Sequence, residues 1–364
     1  MNIVVLGLSI TSSWGNGHAT TYRALLRALG ALGHRILFLE CNAPWYERHR
    51  DRLDPEGCSV AIYEGLDDLR SRFDGQIRHA DAVIVGSFVP DGAEVLAWVL
   101  ETARGLRLFY DIDTPVTVGR LLRGEETYIA PHSIKSLDAY LSFAGGPVLE
   151  LIESELGAPL CLPLYCSVDT TLYAPLSLAQ TRDLGYLGTY SADRQPALTR
   201  LLIEPARRSP WHRFIVAGPS YPEDIRWPDN IEHIEHVGPA DHARFYGSLR
   251  YTLNVTRADM IGAGYSPSVR LFEAAACAVP IISDRWVGID EFFEPGREIL
   301  LCESSEQMLE YLSDLPEAER VKIGERARAR VLGQHSSAHR ALELDLYLRE
   351  LRSGRTRLLD KSVA

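Results

Sequence analysis

Residues 264–280 read GYSPSVRLFEAAACAVP, and three polar side chains in this stretch could do chemistry together. Ser266, Arg270 and Glu273 fall at i, i+4 and i+7, along one face of a helix that is otherwise mostly apolar. Ser266 suits the N-cap, and Pro267 suits the first helical position, where a missing N–H costs nothing. The free amides of the first turn and the positive end of the helix dipole then make an anion site. A charge on so apolar a helix needs a partner. Arg270 and Glu273 either pair with each other at i, i+3, or face a ligand, the cation on a phosphate and the carboxylate on hydroxyls. The residues alone leave both open.

Four other segments carry candidate groups. In SITSSWGNGHAT, Gly15 and Gly17 let the backbone turn and approach a ligand closely. The spacing is neither G-x-G-x-x-G nor a P-loop, so neither a dinucleotide fingerprint nor a Walker motif is present. Trp14 and His18 stand in the same short turn, where stacking or hydrogen bonding to a ligand competes with plain packing. YDIDTPVT places Asp111 and Asp113 as a D-x-D, a spacing that can hold a divalent cation. Asp113-Thr114-Pro115 is also a helix start, and we favour Asp113 as N-cap and acceptor-side carboxylate, with no metal. GTYSADRQP sets Arg194 beside Ser191 at a helix entrance, as a phosphate ligand or as a solvated arginine. In HVGPADH, Gly238 allows close backbone approach. His233, His236 and His242 suggest zinc by number, but the first two would point to opposite faces of a strand-like run. No G-x-S-x-G elbow, H-E-x-x-H or cysteine–histidine motif is present.

Strands and helices alternate so as to carry these segments. NIVVLGLS, HRILFLEC, CSVAIYE, DAVIVGSFV, LRLFYDID and DAYLSFAG are near-continuous apolar strands separated by helical patterns. Such strands belong to a parallel sheet covered on both faces. Periodicity lapses between Ser167 and Arg182, then restarts with LGYLGTY, HRFIVAG and YTLNVTR. The expected class is therefore α/β, with two doubly wound Rossmann-like domains at 1–170 and 171–335 and a helical close at 336–364. In such sheets ligands bind at the carboxyl ends of the strands, where the candidate loops fall. The last helix carries Ala338, Leu342, Leu346 and Leu348 on about one side. A polar tail of roughly ten residues should fray.

The chain has 364 residues, beyond the size at which one core keeps growing. Its net charge of -11 argues against nucleic acid or an anionic membrane as main partner. No apolar run reaches membrane-spanning length, and IVVLGLSI reads as a first strand rather than a leader. Six scattered cysteines without a CxxC suggest reduced thiols and a cytoplasmic protein.

SPSVRLFEAAACAVPIISD and the following GIDEFFEPGREILL resemble the GT-B-fold glycosyltransferases. The likeness is greatest to a bacterial spore-maturation-protein-like group and to the large retaining family one. It covers most of the chain and is strongest from about Tyr246 to Cys302. The resemblance implies that Glu273 bonds the donor's ribose and that Ser266, Ser268 and Arg270 cradle its pyrophosphate. It also implies that Arg194 contacts phosphate and that the glycine loop from Gly15 to His18 lies opposite the donor phosphates. It further implies that the last helix returns to the N-terminal domain. The retaining family has a second glutamate eight positions before the helix glutamate, where this chain has Tyr265, so the stereochemical outcome stays open. The expected activity is metal-independent transfer of a sugar from a nucleotide diphosphate sugar, with no cofactor beyond that co-substrate. Arg270, Arg194 and the helix amides would stabilise the leaving group, and Asp113 or His18 would be the base if the reaction inverts. The acceptor could be a sugar, a lipid-linked group, a small molecule or a protein. An epimerase on the same fold, or a non-catalytic nucleotide-sugar sensor, is the alternative.

Overall fold

The computed structural model describes residues 1–354, and the polar tail expected to fray lies outside them. The chain divides into two compact units, Met1–Ser167 together with the segment from Ser337, and Val168–Ser336. The first unit holds a parallel sheet of seven strands. They are β1 (Asn2–Gly7), β2 (Arg35–Cys41), β3 (Ser59–Tyr63), β4 (Ala82–Gly86), β5 (Leu106–Asp111), β6 (Ala139–Ser142) and β7 (Cys161–Pro163). The second unit holds six: β8 (Arg182–Leu187), β9 (Phe214–Ala217), β10 (Ile231–Ile234), β11 (Leu249–Asn254), β12 (Ile281–Ser283) and β13 (Leu300–Leu301).

The sheet orders are β3-β2-β1-β4-β5-β6-β7 and β10-β9-β8-β11-β12-β13. In each, the first strand of the unit lies inside the sheet, and the chain winds outward from it first one way and then the other. That reversal opens a crevice at the carboxyl ends beside β1 and β8. The expected α/β architecture of two doubly wound sheets is therefore present. Strand β4, AVIVG, is buried at every position, as a strand covered on both faces must be. Leu6 sits in register with Leu39 on one side and Val85 on the other, and all three are at or near zero exposure. In the second unit Tyr186, Val216, Leu253 and Ile282 form the sheet side of the core, covered by Leu198, Leu201 and Leu202.

The closing helix, Ser337–Ser353, packs within the first unit through a different face from the one expected. Leu342 and Leu346 are exposed, at 54% and 51%, while Ala341, Leu344, Tyr347 and Leu348 are buried. Polar anchors decide the rotation. Tyr347 donates its hydroxyl to Pro163 O at 3.0 Å, and Asp345 meets His34 Nε2 at 2.9 Å. Arg340 is fully buried against Glu343 and lies 5.6 Å over the Tyr165 ring. Counting leucines could not reveal these anchors. Among the described residues no helix is long and apolar enough to cross a membrane.

Candidate functional site

In the first unit the chemistry gathers where β1, β4 and β5 end. The loop after β1 leads to Asn16, which caps the helix Gly17–Ala31 by accepting from His18 N at 3.0 Å. Its amide donates back to Ser9 O and Ser12 O, at 3.2 and 3.0 Å. Gly17 and His18 thus form the first helical turn rather than part of a loop, and only Gly15 needs its left-handed conformation (φ 62). The fully buried Glu40, at the end of β2, accepts from Ile10 N, Thr11 N and Thr11 Oγ1, which locks the loop's shape.

His18 Nε2 lies 2.9 Å from Asp113 Oδ2, joining the loops after β1 and β5. Its other ring nitrogen is buried with no partner among the described residues. Phe88, held at φ 61 after β4, meets the imidazole edge-on at 5.6 Å. Asp113 does occupy the N-cap of Thr114–Leu122, but its side chain makes no capping bond. Its carbonyl receives Val116 N and Thr117 N, so its carboxylate is left for His18.

Asp111 is turned the other way, into the core. It accepts from Tyr140 OH at 2.5 Å, Thr117 Oγ1 at 2.9 Å and Asp113 N at 3.2 Å. Burial, with the nearby Asp113 charge adding to it, outweighs those bonds and raises its pKa to about 7. The two carboxylates of the D-x-D therefore have separate partners. Among the described residues no group of three His, Cys, Asp or Glu is placed to hold a metal ion.

In the second unit the site lies beyond β8 and β11. Gly218 (φ 150) packs against Gly188, where a Cβ would sit 2.1 Å from the carbonyl oxygen, so the loops after β8 and β9 touch backbone to backbone. The helix of the 264–280 segment begins later than expected, at Val269, with Ser268 as N-cap and no side-chain cap. Ser266 is buried upstream and Pro267 precedes the helix. The delay has a structural cause. Tyr265 is held at φ 45 by its N–H to Val287 O at 2.7 Å, with its ring against Gly288.

Arg270 does not pair with Glu273. Its Nε donates to Leu187 O at 2.5 Å and Nη1 to Asn254 Oδ1 at 3.1 Å, while the guanidinium lies 4.9 Å over Tyr186. Asn254 passes the connection to Thr256 and Ser283, and Thr256 donates to Asp284 at 2.7 Å. Arg194 stands at the N-cap of Gln195–Leu198, with Nη2 on Thr189 O at 2.6 Å and Nε without a partner among the described residues. Burial lowers its pKa, and the charges of Arg270 and Arg257 add to that. Ser191 donates to Asp193, which also receives Ala258 N at 2.9 Å. Gly238 has an ordinary φ of -72, and a Cβ there would meet only His236 Nε2 at 3.9 Å, an ordinary contact, so nothing there requires glycine.

Glu273 is buried and accepts from Tyr246 OH at 3.2 Å, with His242 Nδ1 at 3.7 Å. Tyr173 OH meets the same imidazole nitrogen at 3.1 Å. Burial opposes the charge of Glu273, but His242 and the two tyrosines hold its pKa below the usual value. Burial likewise opposes the His242 cation, and Glu273 carries its pKa above the usual value. His242 thus serves Glu273, while His233, in β10, stacks on Trp227 and His236 lies past the strand. The sequence did hold a signal for this group: a buried glutamate needs donors, and His242 and Tyr246 share a helix face at i, i+4.

Comparison with known proteins places this architecture. Residues 194–345 match a family model described as glycosyl transferase-like. Among curated proteins nothing matches. Sucrose-phosphate synthase from Thermosynechococcus elongatus superimposes with a TM-score of 0.72 at 13% identity, covering 97% of this chain and 100% of that one. HepE of Anabaena, in complex with UDP and glucose, gives 0.67 at 12%, covering 96% and 100%. An alpha-glucosyltransferase in complex with UDP-glucose and DNA containing an abasic site gives 0.68 at 11%, covering 96% and 99%. The fold is that of the GT-B glycosyltransferases.

Proposed function

We propose that this chain is a glycosyltransferase that moves a sugar from a nucleoside diphosphate sugar to an acceptor hydroxyl without a metal ion. The observation that carries this is the group of Arg194, Arg257 and Arg270 at the carboxyl end of the second sheet. Arg194 is half-buried beside other guanidiniums, and its Nε has no partner among the described residues. Cations crowded in this way call for a multiply charged anion, and a diphosphate supplies one. The UDP bound to structural neighbours makes it the first nucleotide to test.

In the reaction the acceptor oxygen bonds to the anomeric carbon as the bond from that carbon to the diphosphate oxygen breaks. The acceptor proton passes to His18, whose imidazole Asp113 orients and stabilises once charged. The guanidiniums and the first-turn amides of Val269–Ala276 stabilise the charge growing on the leaving diphosphate. Glu273 is assigned to the ribose hydroxyls, with His242, Tyr173 and Tyr246 fixing it. The acceptor belongs to the first unit. The finer assignment we propose, to the spore-maturation-protein-like group, rests on the motif resemblance of the segment from Ser266 to Asp284.

Thermal shift with UDP, GDP, dTDP and their sugars tests the donor. A nucleotide at 100 times its Kd stabilises by about 2.7 kcal/mol. Donor consumption that requires an added acceptor supports transfer. Turnover of the donor sugar without acceptor marks an epimerase, and binding without turnover marks a sensor.

A further inference from the structure

Trp14 and Trp45 have no part in the mechanism above, yet both stay exposed, at 41% and 58%. Both rings lie against one imidazole. Trp14 stacks on His49 at 5.0 Å and 18°, and Trp45 lies at 4.9 Å and 39°. This trio is rigidly mounted. His49 Nδ1 bonds to Trp45 O at 2.8 Å, and His49 O accepts from Ser12 Oγ at 2.8 Å. Asp51 N and Arg52 N both donate to Thr11 O. Arg23 grips Asp51 with two nitrogens and reaches Ile10 O at 2.7 Å. Burial works against the Asp51 charge, but Arg23 and Ser13 prevail and pull its pKa down to about 2, so the brace stays ionised at neutral pH. The loop after β1 and the segment after β2 are thereby one unit, with two indoles on its surface.

An aromatic surface this well supported suits a ligand rather than chance exposure. Close by in the chain are the exposed charges of Glu47, Arg48 and Arg52. A ligand must therefore offer apolar faces to the indoles and hydroxyls to these charges, which describes a pyranose and not an alkyl chain. Both indoles lie against the same imidazole, with ring centroids 5.0 and 4.9 Å from it, so the three rings make one aromatic patch larger than a single ring and suited to more than one sugar. Trp14 is four residues from His18, so the platform starts within about 14 Å of that residue at full chain extension. We propose that Trp14, His49 and Trp45 form the acceptor subsite for an oligosaccharide whose terminal hydroxyl reaches His18. The word acceptor rests on the transferase function above; the saccharide platform itself does not.

The test applies full-length labelled protein to an array of monosaccharides and oligosaccharides, with UDP binding followed separately by thermal shift. Oligosaccharides should bind and their monosaccharides should not. Trp14→Ala and Trp45→Ala should each weaken binding about tenfold, with Trp45→Phe retaining most of it and melting temperatures unchanged. In transfer assays the alanine variants should raise the acceptor KM and leave kcat and UDP binding alone. A silent array, binding indifferent to both tryptophans, or tryptophan-dependent binding confined to a control panel of phenols would overturn the subsite. Oligosaccharide binding without any nucleotide binding would instead remove the transferase and leave a saccharide platform.

Discussion

At the carboxyl end of the first sheet the site's charged groups are acids with one histidine, and at the same end of the second they are half-buried arginines with two buried acids, Glu273 and Asp284. Asp111 and Glu40 are held there by hydroxyls and amides, and Asp113 by a histidine. Arg270 and Arg194 are held by the carbonyls of Leu187 and Thr189 and by the amide of Asn254. Both sheets wind the same way from an inner first strand, so topology does not set this difference. The loop residues do. On the proposed mechanism one crevice takes a proton and the other takes negative charge, the two needs of a displacement with an anionic leaving group. Each prediction below asks whether the division is real.

The largest effect belongs to the proton-taking side. His18→Asn keeps an amide near Asp113 but removes the basic nitrogen, so transfer should fall about 10²–10⁴-fold. UDP binding, assigned to the other unit, should not change. A loss of nucleotide affinity matching the loss of rate would dissolve the division. Steady-state kinetics with calorimetric UDP binding reads both.

Next comes the pH response, in which the two sides oppose each other. A carboxyl whose pKa rises on folding keeps a proton that the unfolded chain has released. Asp111, raised from 3.8 to about 7, therefore favours the fold at acid pH, and that contribution is lost as pH climbs through this range. The full swing is worth about 4 kcal/mol. The Glu273–His242 pair behaves otherwise. The lowered glutamate contributes above its unfolded 4.5 and fades as pH falls through its folded value. The raised histidine contributes below its unfolded 6.5 and fades as pH climbs through its folded value. Between 4.5 and 6.5 the pair is at full strength. Asp111→Asn should thus gain stability over the native chain as pH is raised from 4 to 8, with the pair present in both and cancelling. Urea unfolding across that range checks this, and parallel curves would place Asp111 in solvent-like surroundings.

A smaller effect separates the two arginines. Arg194→Ala should weaken UDP by roughly 1.5–3 kcal/mol and leave uridine binding unchanged, since only the diphosphate loses a charge-assisted contact. Arg270→Ala should do the same and also lower the melting temperature, because it leaves Leu187 O and Asn254 without their donor. Equal losses for UDP and uridine would move the phosphate elsewhere.

The sheets were legible because apolar strands between helical patterns admit few alternatives, and the candidate loops fell at strand ends as that topology requires. Orientation was not legible. Whether Asp111 or Asp113 faces inward depends on Tyr140, Tyr128 and Thr117, and two of those three lie on other elements. The i, i+3 spacing of Arg270 and Glu273 suggested a pair, but strands β8 and β11 offered the arginine better acceptors, and His242 and Tyr246 claimed the glutamate. The helix start at Ser268 depends on the Tyr265 backbone, which answers to Val287 and Gly288 more than twenty residues on. Local rules of capping and periodicity carry no such distant partners.

The smallest expected effect is none at all, and it is the sharpest test of the division. If the arginine side alone meets the leaving group's charge, saturating EDTA should leave transfer unchanged, and added manganese or magnesium should not raise it. The D-x-D of the first unit is where a cation would otherwise be sought. Its first carboxylate is enclosed by Tyr140, Thr117 and the Asp113 amide, and using it would mean breaking those bonds and ionising a group that is half protonated near pH 7. Its second is engaged with His18, and a metal there would displace the imidazole from the contact that orients it. A cation would therefore have to dismantle the proton-taking side in order to duplicate the charge-taking one. Activity abolished by EDTA and restored by manganese would show that it does, and Asp111 and Asp113 would then act together as ligands.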